Sequence, residues 1–534
     1  MALCATSFRL CVTLGTLFPA LTLLLTLFTT TACTRHTSPD DTLIVAQSAE
    51  PRTLDPQAAT AASDFRLIEN LYDGLVRFRA GTLDIEPALA TAWTVSSDGL
   101  TYTFTLRPNV RFHDGTPCDA AAVRYTFERM LDPAHPESDT GPFPLAFFFS
   151  AVDHIDTPDD ATVTFQLKEP FAPFLANLAY PTGKIVSSTA VQKHRANFGR
   201  RPVGTGPFRF SRWDSNRRVE LLRADTTWQP AAKLRRVIFR PLTDDNTRLT
   251  ELLAGGVDVI TESPVEMIGT FRQNPDFSVI EADGPHLWFL ILNTRHGPFA
   301  DRRVRQAANY AINKTALVEH LLQNTATVAN GPVPAAFGPA HAADLAPYPH
   351  NPDKARQLIR EAGAEGAEVT LYATEGGSGM LAPKAMAEAI QSDLAAVGLR
   401  VRIETYEWNT FLSKVNTGLG ETADLAEMAW MTNDPDTLPY LTLRSAATPD
   451  QGGFNSGYYA NPEVDDLLTR ARRETNPAAR AVLYQKMQYI VHQDAPWVFI
   501  CNWRQNVVAT KRVKNLHLEP SFLFRLNQAK KTDH

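Results

Sequence analysis

Thr101-Tyr102-Thr103-Phe104-Thr105-Leu106-Arg107-Pro108-Asn109-Val110-Arg111-Phe112-His113-Asp114-Gly115-Thr116-Pro117 is the stretch whose reading decides the fold. Its first six residues alternate polar and apolar, which predicts a strand with one packed and one wet face. The same alternation returns at Thr162-Val163-Thr164-Phe165-Gln166-Leu167-Lys168. Between the two, residues 119–130 read as a helix with Ala122, Val123, Phe127 and Met130 on one side. Upstream, Thr42-Leu43-Ile44-Val45-Ala46 is a short buried-type run. Downstream, 208–241 is a second strand-rich zone, containing Val219-Glu220-Leu221-Leu222 and Val237-Ile238-Phe239, and 243–255 reads as a helix ending at Gly255-Gly256.

Beyond residue 300 the periodicity changes to that of helices. Val304, Ala307, Ala308 and Ala311 mark one helical face. Asn351-Pro352-Asp353 opens another helix with a cap residue followed by proline in the first turn. Ala355, Leu358, Ile359 and Ala362 continue it and Gly363 closes it. Residues 383–398 repeat the pattern with Met386, Ile390, Leu394 and Val397 inward, and lead into the strand Leu399-Arg400-Val401-Arg402-Ile403. Asn461-Pro462 and Asn476-Pro477 open two more helices. Strand, helix, strand in this order implies an α/β lobe with some parallel pairing.

The chain has 534 residues, too many for one hydrophobic core, so two or three lobes are expected. With 44% apolar and 21% charged residues and no low-complexity block, disordered, collagen-like and multi-span membrane classes are excluded. The net charge is −6 and no basic stripe interleaved with aromatics occurs, so no nucleic-acid partner is expected.

The first 33 residues are a separate object. Arg9 precedes an apolar stretch over 10–28, then Thr30-Thr31-Ala32-Cys33, then a sharp rise in polarity. That is the order of an export signal. The small residues before Cys33 resemble a bacterial lipobox, although Thr30 stands where Leu is usual. The preferred reading is a signal peptide over 1–32, lipidation of Cys33 and a tether over 33–37. The alternative is an uncleaved anchor helix. Either reading places the rest of the chain outside the cytoplasm, periplasmic or at the cell surface, and membrane-anchored. Of five cysteines, only Cys118 and Cys501 could pair in the mature fold, and both are expected to be buried thiols.

Catalytic constellations are missing. There is no HExxH and no P-loop. Gly204-Thr205-Gly206 lacks the third glycine of a dinucleotide loop, and Gly376-Gly377-Ser378-Gly379 has Met380 where a nucleophile elbow needs glycine. The 13 histidines show no metal-ligand spacing. No catalytic residue, metal or cofactor is expected, and the chain reads as a non-enzyme.

Instead, a set of phrases occurs in fixed order: Thr53-Leu54-Asp55-Pro56, Leu71-Tyr72-Asp73-Gly74-Leu75, Leu89-Ala90-Thr91-Ala92-Trp93, the opening stretch from Leu106 to Pro117, Val203-Gly204-Thr205-Gly206-Pro207-Phe208, Leu292-Asn293-Thr294, Asp301-Arg302-Arg303-Val304-Arg305-Gln306-Ala307, Ala311-Ile312-Asn313-Lys314 and Ala495-Pro496-Trp497. Together they resemble the family 5 extracellular solute-binding proteins, the oligopeptide and dipeptide receptors of bacterial ABC importers, over about residues 42–520. Asn313 departs from the Asp common in that family.

The resemblance implies an α/β, bilobal periplasmic-binding-protein-like fold of the class II (cluster C) type with an extra strand-rich subdomain. It implies a discontinuous lobe I (38–72, 199–286 and 501–534), an inserted subdomain (73–198) and lobe II (287–500). Two chain crossings, near 285–290 and 498–502, would form the hinge. It further implies a monomeric receptor that gives a peptide or other small solute to the permease and ATPase subunits of an importer. In peptide-binding relatives an extended ligand lies between two short backbone segments. These correspond here to Ala61, Ala62, Ser63 and Asp64, and to Ala429, Trp430 and Met431. An Asp three residues after that Trp usually meets the ligand ammonium. Asn433 holds that position here, followed by Asp434-Pro435-Asp436. Either Asp434 serves as the anchor or it belongs to an Asp-Pro turn, which would favour a ligand without a free ammonium. A nickel chelate, haem, an opine or an oligosaccharide stays open as cargo on the same fold. A surface-anchored peptidase is the alternative from another class.

Overall fold

The computed structural model describes residues 41–225, 228–377, 379–521 and 523–532. The expected signal peptide, Cys33 and the tether therefore lie outside the described residues.

The alternating strands form a four-stranded antiparallel sheet in the order Ala90–Val95, Thr101–Leu106, Thr162–Leu167, Val152–Asp159. Thr103 pairs with Thr164, so Tyr102 and Phe104 share a face with Val163 and Phe165. The helix Ala120–Leu131, capped by the Asp119 side chain, covers that face. Phe127 meets Phe165 edge-on at 5.1 Å. This insert thus has its own apolar core.

The rest of the chain is organised by one twelve-stranded mixed sheet that runs through both lobes. Its middle is the 14-residue strand Trp497–Thr510. The first half of that strand pairs with His286–Leu292 and Ala326–Val328, and the second half with Val259–Thr261 and Phe277–Asp283. On the N-terminal side, Thr42–Gln47 lies parallel between Arg236–Pro241 and Val259–Thr261. On the other side, Glu368–Thr374 lies parallel to both Arg400–Tyr406 and Leu425–Met431. Helices bury both faces of this second half, producing two apolar clusters, one on each side of the sheet.

The chain passes between the halves at two places, within Trp497–Thr510 and at Gly284-Pro285 between Phe277–Asp283 and His286–Leu292. A Cβ on Gly284 would lie 2.7 Å from Gln505 Nε2, the end of a flexible side chain, and 3.2 Å from the Trp503 carbonyl oxygen, so the two crossings pack closely side by side. Cys118 and Cys501 are buried free thiols, as expected.

Four of the phrases that carried the resemblance act as joints. Asp55 makes a buried two-pronged ion pair with Arg129 of the insert at 2.8 and 3.0 Å. Asp73 accepts from Thr205 Oγ1, Trp228 Nε1 and Gln229 Nε2, each at 2.9 Å. His113 bonds the carbonyls of Gly204 and Gly206 through its amide and Nε2, both at 2.9 Å. Each residue type is required because a buried charge or donor without its partner is costly.

Candidate functional site

The second lobe meets the insert through the loop that follows the strand Leu425–Met431. Asn433 Nδ2 donates to Asn177 Oδ1 at 2.9 Å, and Asn177 Nδ2 donates to the Phe148 carbonyl at 2.8 Å. The Ala172 amide donates to the Arg472 carbonyl at 2.8 Å. The Arg472 guanidinium lies 4.7 Å from the Phe171 ring and 3.7 Å from the Tyr440 ring. A cavity of about 1230 Å³ opens between the insert, the strands next to the chain crossings and the second lobe. Trp93 and Tyr102 line it from the insert, Glu281 and Leu518 from the first lobe, and Phe337 and Asp434 from the second. It exceeds the roughly 300–1,000 Å³ of sites for drug-sized ligands.

Asp434 is already engaged. Its carboxylate takes Nη2 and Nη1 of Arg480 at 2.6 and 2.9 Å, and its Oδ1 also accepts the Asp436 amide at 2.8 Å. Arg480 further donates from Nε to the Ala471 carbonyl at 3.0 Å and from Nη2 to Tyr484 Oη at 3.1 Å. Asp436 pairs with Arg472 Nη1 at 2.9 Å. Burial pushes the Asp436 carboxyl up to about 6, although Arg472 pulls it the other way. Sequence reasoning missed Arg480 and Arg472. A signal existed for the first: Arg480 stands near the start of the helix Pro477–Asp494, where the helix dipole disfavours a cation unless a carboxylate faces it.

Ala61 is the N-cap of the helix Ala62–Leu71. Asp64 folds back, accepting the Arg52 amide at 2.8 Å and the Ala61 amide at 3.4 Å, and burial raises its carboxyl. Gln47 Nε2 donates to the Ser63 carbonyl at 3.3 Å. In the second lobe, Ala429, Trp430 and Met431 pair with Trp288, Leu287 and His286. On their other edge, Glu368–Thr374 pairs at Leu425 and Ala426, and among the described residues that strand pairing does not extend to 429–431. Trp430 is half-buried and meets Phe454 edge-on at 5.5 Å. Among the described residues, no hydrogen bond or ion pair joins 61–64 to 429–431. Asn433 and Asp434 reach the cavity wall, whereas the other seven predicted residues are not among its lining.

No group of three or more His, Cys, Asp or Glu among the described residues is arranged to hold a metal ion. No described helix is long and apolar enough to cross a membrane.

Residues 84–452 match the model of the bacterial extracellular solute-binding proteins, family 5 (middle region). The chain belongs to this family. It is 30% identical over 497 residues to di/tripeptide-binding protein 2 of Pseudomonas aeruginosa, covering 90% of this chain and 93% of that protein. It is 31% identical to the glutathione-binding protein GsiB of Pectobacterium atrosepticum, covering 92% and 94% of the two chains. The solved structure of HbpA2 from Haemophilus parasuis superposes with a TM-score of 0.85 at 28% identity, over 92% of this chain and all of that one. Membership places the chain among the solute-binding components of ABC importers and agrees with the mixed-sheet, bilobal architecture.

Proposed function

We propose that the protein is a non-enzymatic peptide receptor that closes its lobes around a short peptide and delivers it to the permease of an ABC importer. The cavity bounded by both lobes and the insert, with the two chain crossings beside it, is the observation that carries this reading. A ligand drives closure only by binding the closed form better than the open one. The contacts from Asn433 to Asn177 and from Arg472 to Phe171 are where closure would gain its bonds. The domain division expected from the sequence supplies the moving parts: 38–72, 199–286 and 501–534 against 287–500, with 73–198 riding on the first.

The pairing of Glu368–Thr374 stops at Ala426, which favours a strand-like ligand mode with Ala429, Trp430 and Met431 on one side and the segment from Ala61 to Asp64 on the other, outside the lining of the large cavity. Asp434 acts in the turn and ion pair rather than as an ammonium anchor, since Arg480 already neutralises it. Cys33 carries the lipid that keeps the receptor at the membrane.

Calorimetry with a di- and tripeptide panel tests the ligand, and small-angle scattering tests closure. The expected result is saturable binding with compaction. Cleavage of the peptides, or no binding by any of them, would overturn the reading. For the anchor, Cys33→Ser should release the protein from membranes, and unchanged lipid labelling of that variant would refute it.

A further inference from the structure

Among the described residues, three buried carboxylate oxygens make no hydrogen bond, one each in Glu69, Glu519 and Glu427. The first two lie 2.8 and 3.9 Å from Lys184 Nζ and Arg525 Nε. The Oε1 of Glu427 has no such cation, and its other oxygen accepts only the long 3.4 Å bond from the Thr374 amide. Burial raises this carboxyl well above its usual range, opposed by the Thr374 amide alone, so Glu427 is held neutral. A buried polar atom without a partner is costly and rare, and it calls for an occupant.

Glu427 lies on the strand Leu425–Met431, three residues before Trp430. Residues two apart on a strand share a face, so its side chain stands on the side of Ala429 and Met431. Leu290 is its partner in the sheet and Trp288 is that of Ala429, which puts Trp288 diagonally across from Glu427 and within reach of it. The Trp288 Nε1 is buried and unpartnered as well. Toward the end of the strand, the next group on this face is only the Ala429 methyl. Gly379 packs over it: a Cβ there would stand 3.5 Å from Ala429 Cβ and 2.9 Å from His286 Nε2, which bonds the Gly379 carbonyl at 3.0 Å. The polar side chains after Trp430 are engaged, Asp434 by Arg480 and Asn433 by Asn177.

We propose that Glu427 is the counter-charge for one cationic group of the ligand, an ammonium or a guanidinium, received beside Ala429 and Gly379. This rests on the peptide-receptor reading above and moves charge recognition from the loop after Trp430 to the strand before it. When the cation arrives, the Glu427 proton leaves to solvent and the carboxylate accepts from the cation, with the Trp288 N–H in reach as a second donor.

The test is calorimetry at pH 7 with Ala-Ala-Ala, N-acetyl-Ala-Ala-Lys and N-acetyl-Ala-Ala-Ala, in two buffers that differ in protonation enthalpy. A cation-bearing peptide is expected to bind at least about tenfold tighter than N-acetyl-Ala-Ala-Ala and to release up to one proton. A response to Ala-Ala-Ala assigns the amino terminus as the cation, and a response to N-acetyl-Ala-Ala-Lys assigns the side chain. Glu427→Gln, checked for folding by thermal unfolding, should abolish both the preference and the proton release and leave N-acetyl-Ala-Ala-Ala unchanged. Infrared difference spectra should show a protonated carboxyl band lost on binding in the parent and not in the variant. Equal affinity for all three peptides, or a preference that survives in Glu427→Gln, overturns the assignment and leaves a peptide receptor standing. An equal loss for N-acetyl-Ala-Ala-Ala also overturns it, because Glu427 would then only support the strand. Failure of the whole series to bind removes the peptide reading, and this inference with it.

Discussion

Replacing Arg480 by leucine should destabilise the second lobe strongly while replacing both Arg480 and Asp434 should not. The two side chains are only 13% and 6% exposed and share two charge-assisted hydrogen bonds of 2.6 and 2.9 Å. Arg480→Leu leaves the Asp434 carboxylate buried next to the acidic Asp436. Breaking a buried pair by removing one partner costs about 3–5 kcal/mol. The Ala471 carbonyl and Tyr484 hydroxyl also lose a donor, adding about 0.5–1.5 kcal/mol each. In Arg480→Leu/Asp434→Leu no uncompensated charge remains, and such replacements are often close to neutral. The double variant should therefore recover most of the loss, a coupling seen only between groups in contact. Urea unfolding at pH 7, followed by fluorescence and by calorimetry to check for a single transition, measures it. Asp434→Asn should lose stability but keep peptide affinity. If Arg480→Leu stays within about 0.5 kcal/mol of the parent, a shift expected of ordinary surface changes, the reasoning fails. It also fails if Asp434→Asn keeps its stability and loses about 2–5 kcal/mol of peptide affinity, the size expected for a ligand ammonium losing its partner.

Three further outcomes follow from the same geometry. The Asp436 carboxyl is raised from 3.8 to about 6, so the native state holds its proton across that window and loses the corresponding stability as pH rises through it. Urea titrations from pH 4 to 7 should show a fall of about 2–3 kcal/mol from this group that Asp436→Asn flattens, and an unchanged slope in the variant would contradict it. Glu427 is fully buried in the strand Leu425–Met431, accepts one long bond of 3.4 Å from the Thr374 amide, and burial raises its carboxyl well above the usual range. Glu427→Gln should therefore improve stability more at pH 8 than at pH 5, and an equal effect at both would refute the proton assignment. Asn433→Ala removes a neutral inter-lobe hydrogen bond and should weaken closure by about 0.5–1.5 kcal/mol, seen as a larger ligand-free radius in scattering or weaker peptide binding, with neither change counting against a latch role.

Much of the local structure was legible in the chain itself. The two alternating stretches became paired strands, residues 119–130 became a helix capped by Asp119, and the Asn-Pro pairs opened the helices Pro352–Glu361, Pro462–Arg473 and Pro477–Asp494. Period, cap and proline act within a few residues, so they can be read in order along the chain. Even there the helix predicted over 243–255 is shorter, Asp245–Leu253, because Asp244 takes the cap.

The ordered phrases identified the family without revealing the site. Asp55, Asp73 and His113 turn out to fasten the insert to the first lobe, so what recurs in those phrases is packing and buried hydrogen bonding. What Asp434 does was undecidable from sequence, because its partner Arg480 stands 46 positions away and only the packing of a helix against a loop brings them together. The same holds for Asn433 and Asn177, separated by 256 positions and joined across the lobes. Nor does any local pattern announce that Trp497–Thr510 threads both lobes, since its apolar run reads alike in one sheet or two. Secondary structure and family thus followed from short-range chemistry in the chain. The ion pair of Asp434 with Arg480 and the contact of Asn433 with Asn177 were decided only in the tertiary structure, because they depend on distances that sequence spacing does not encode.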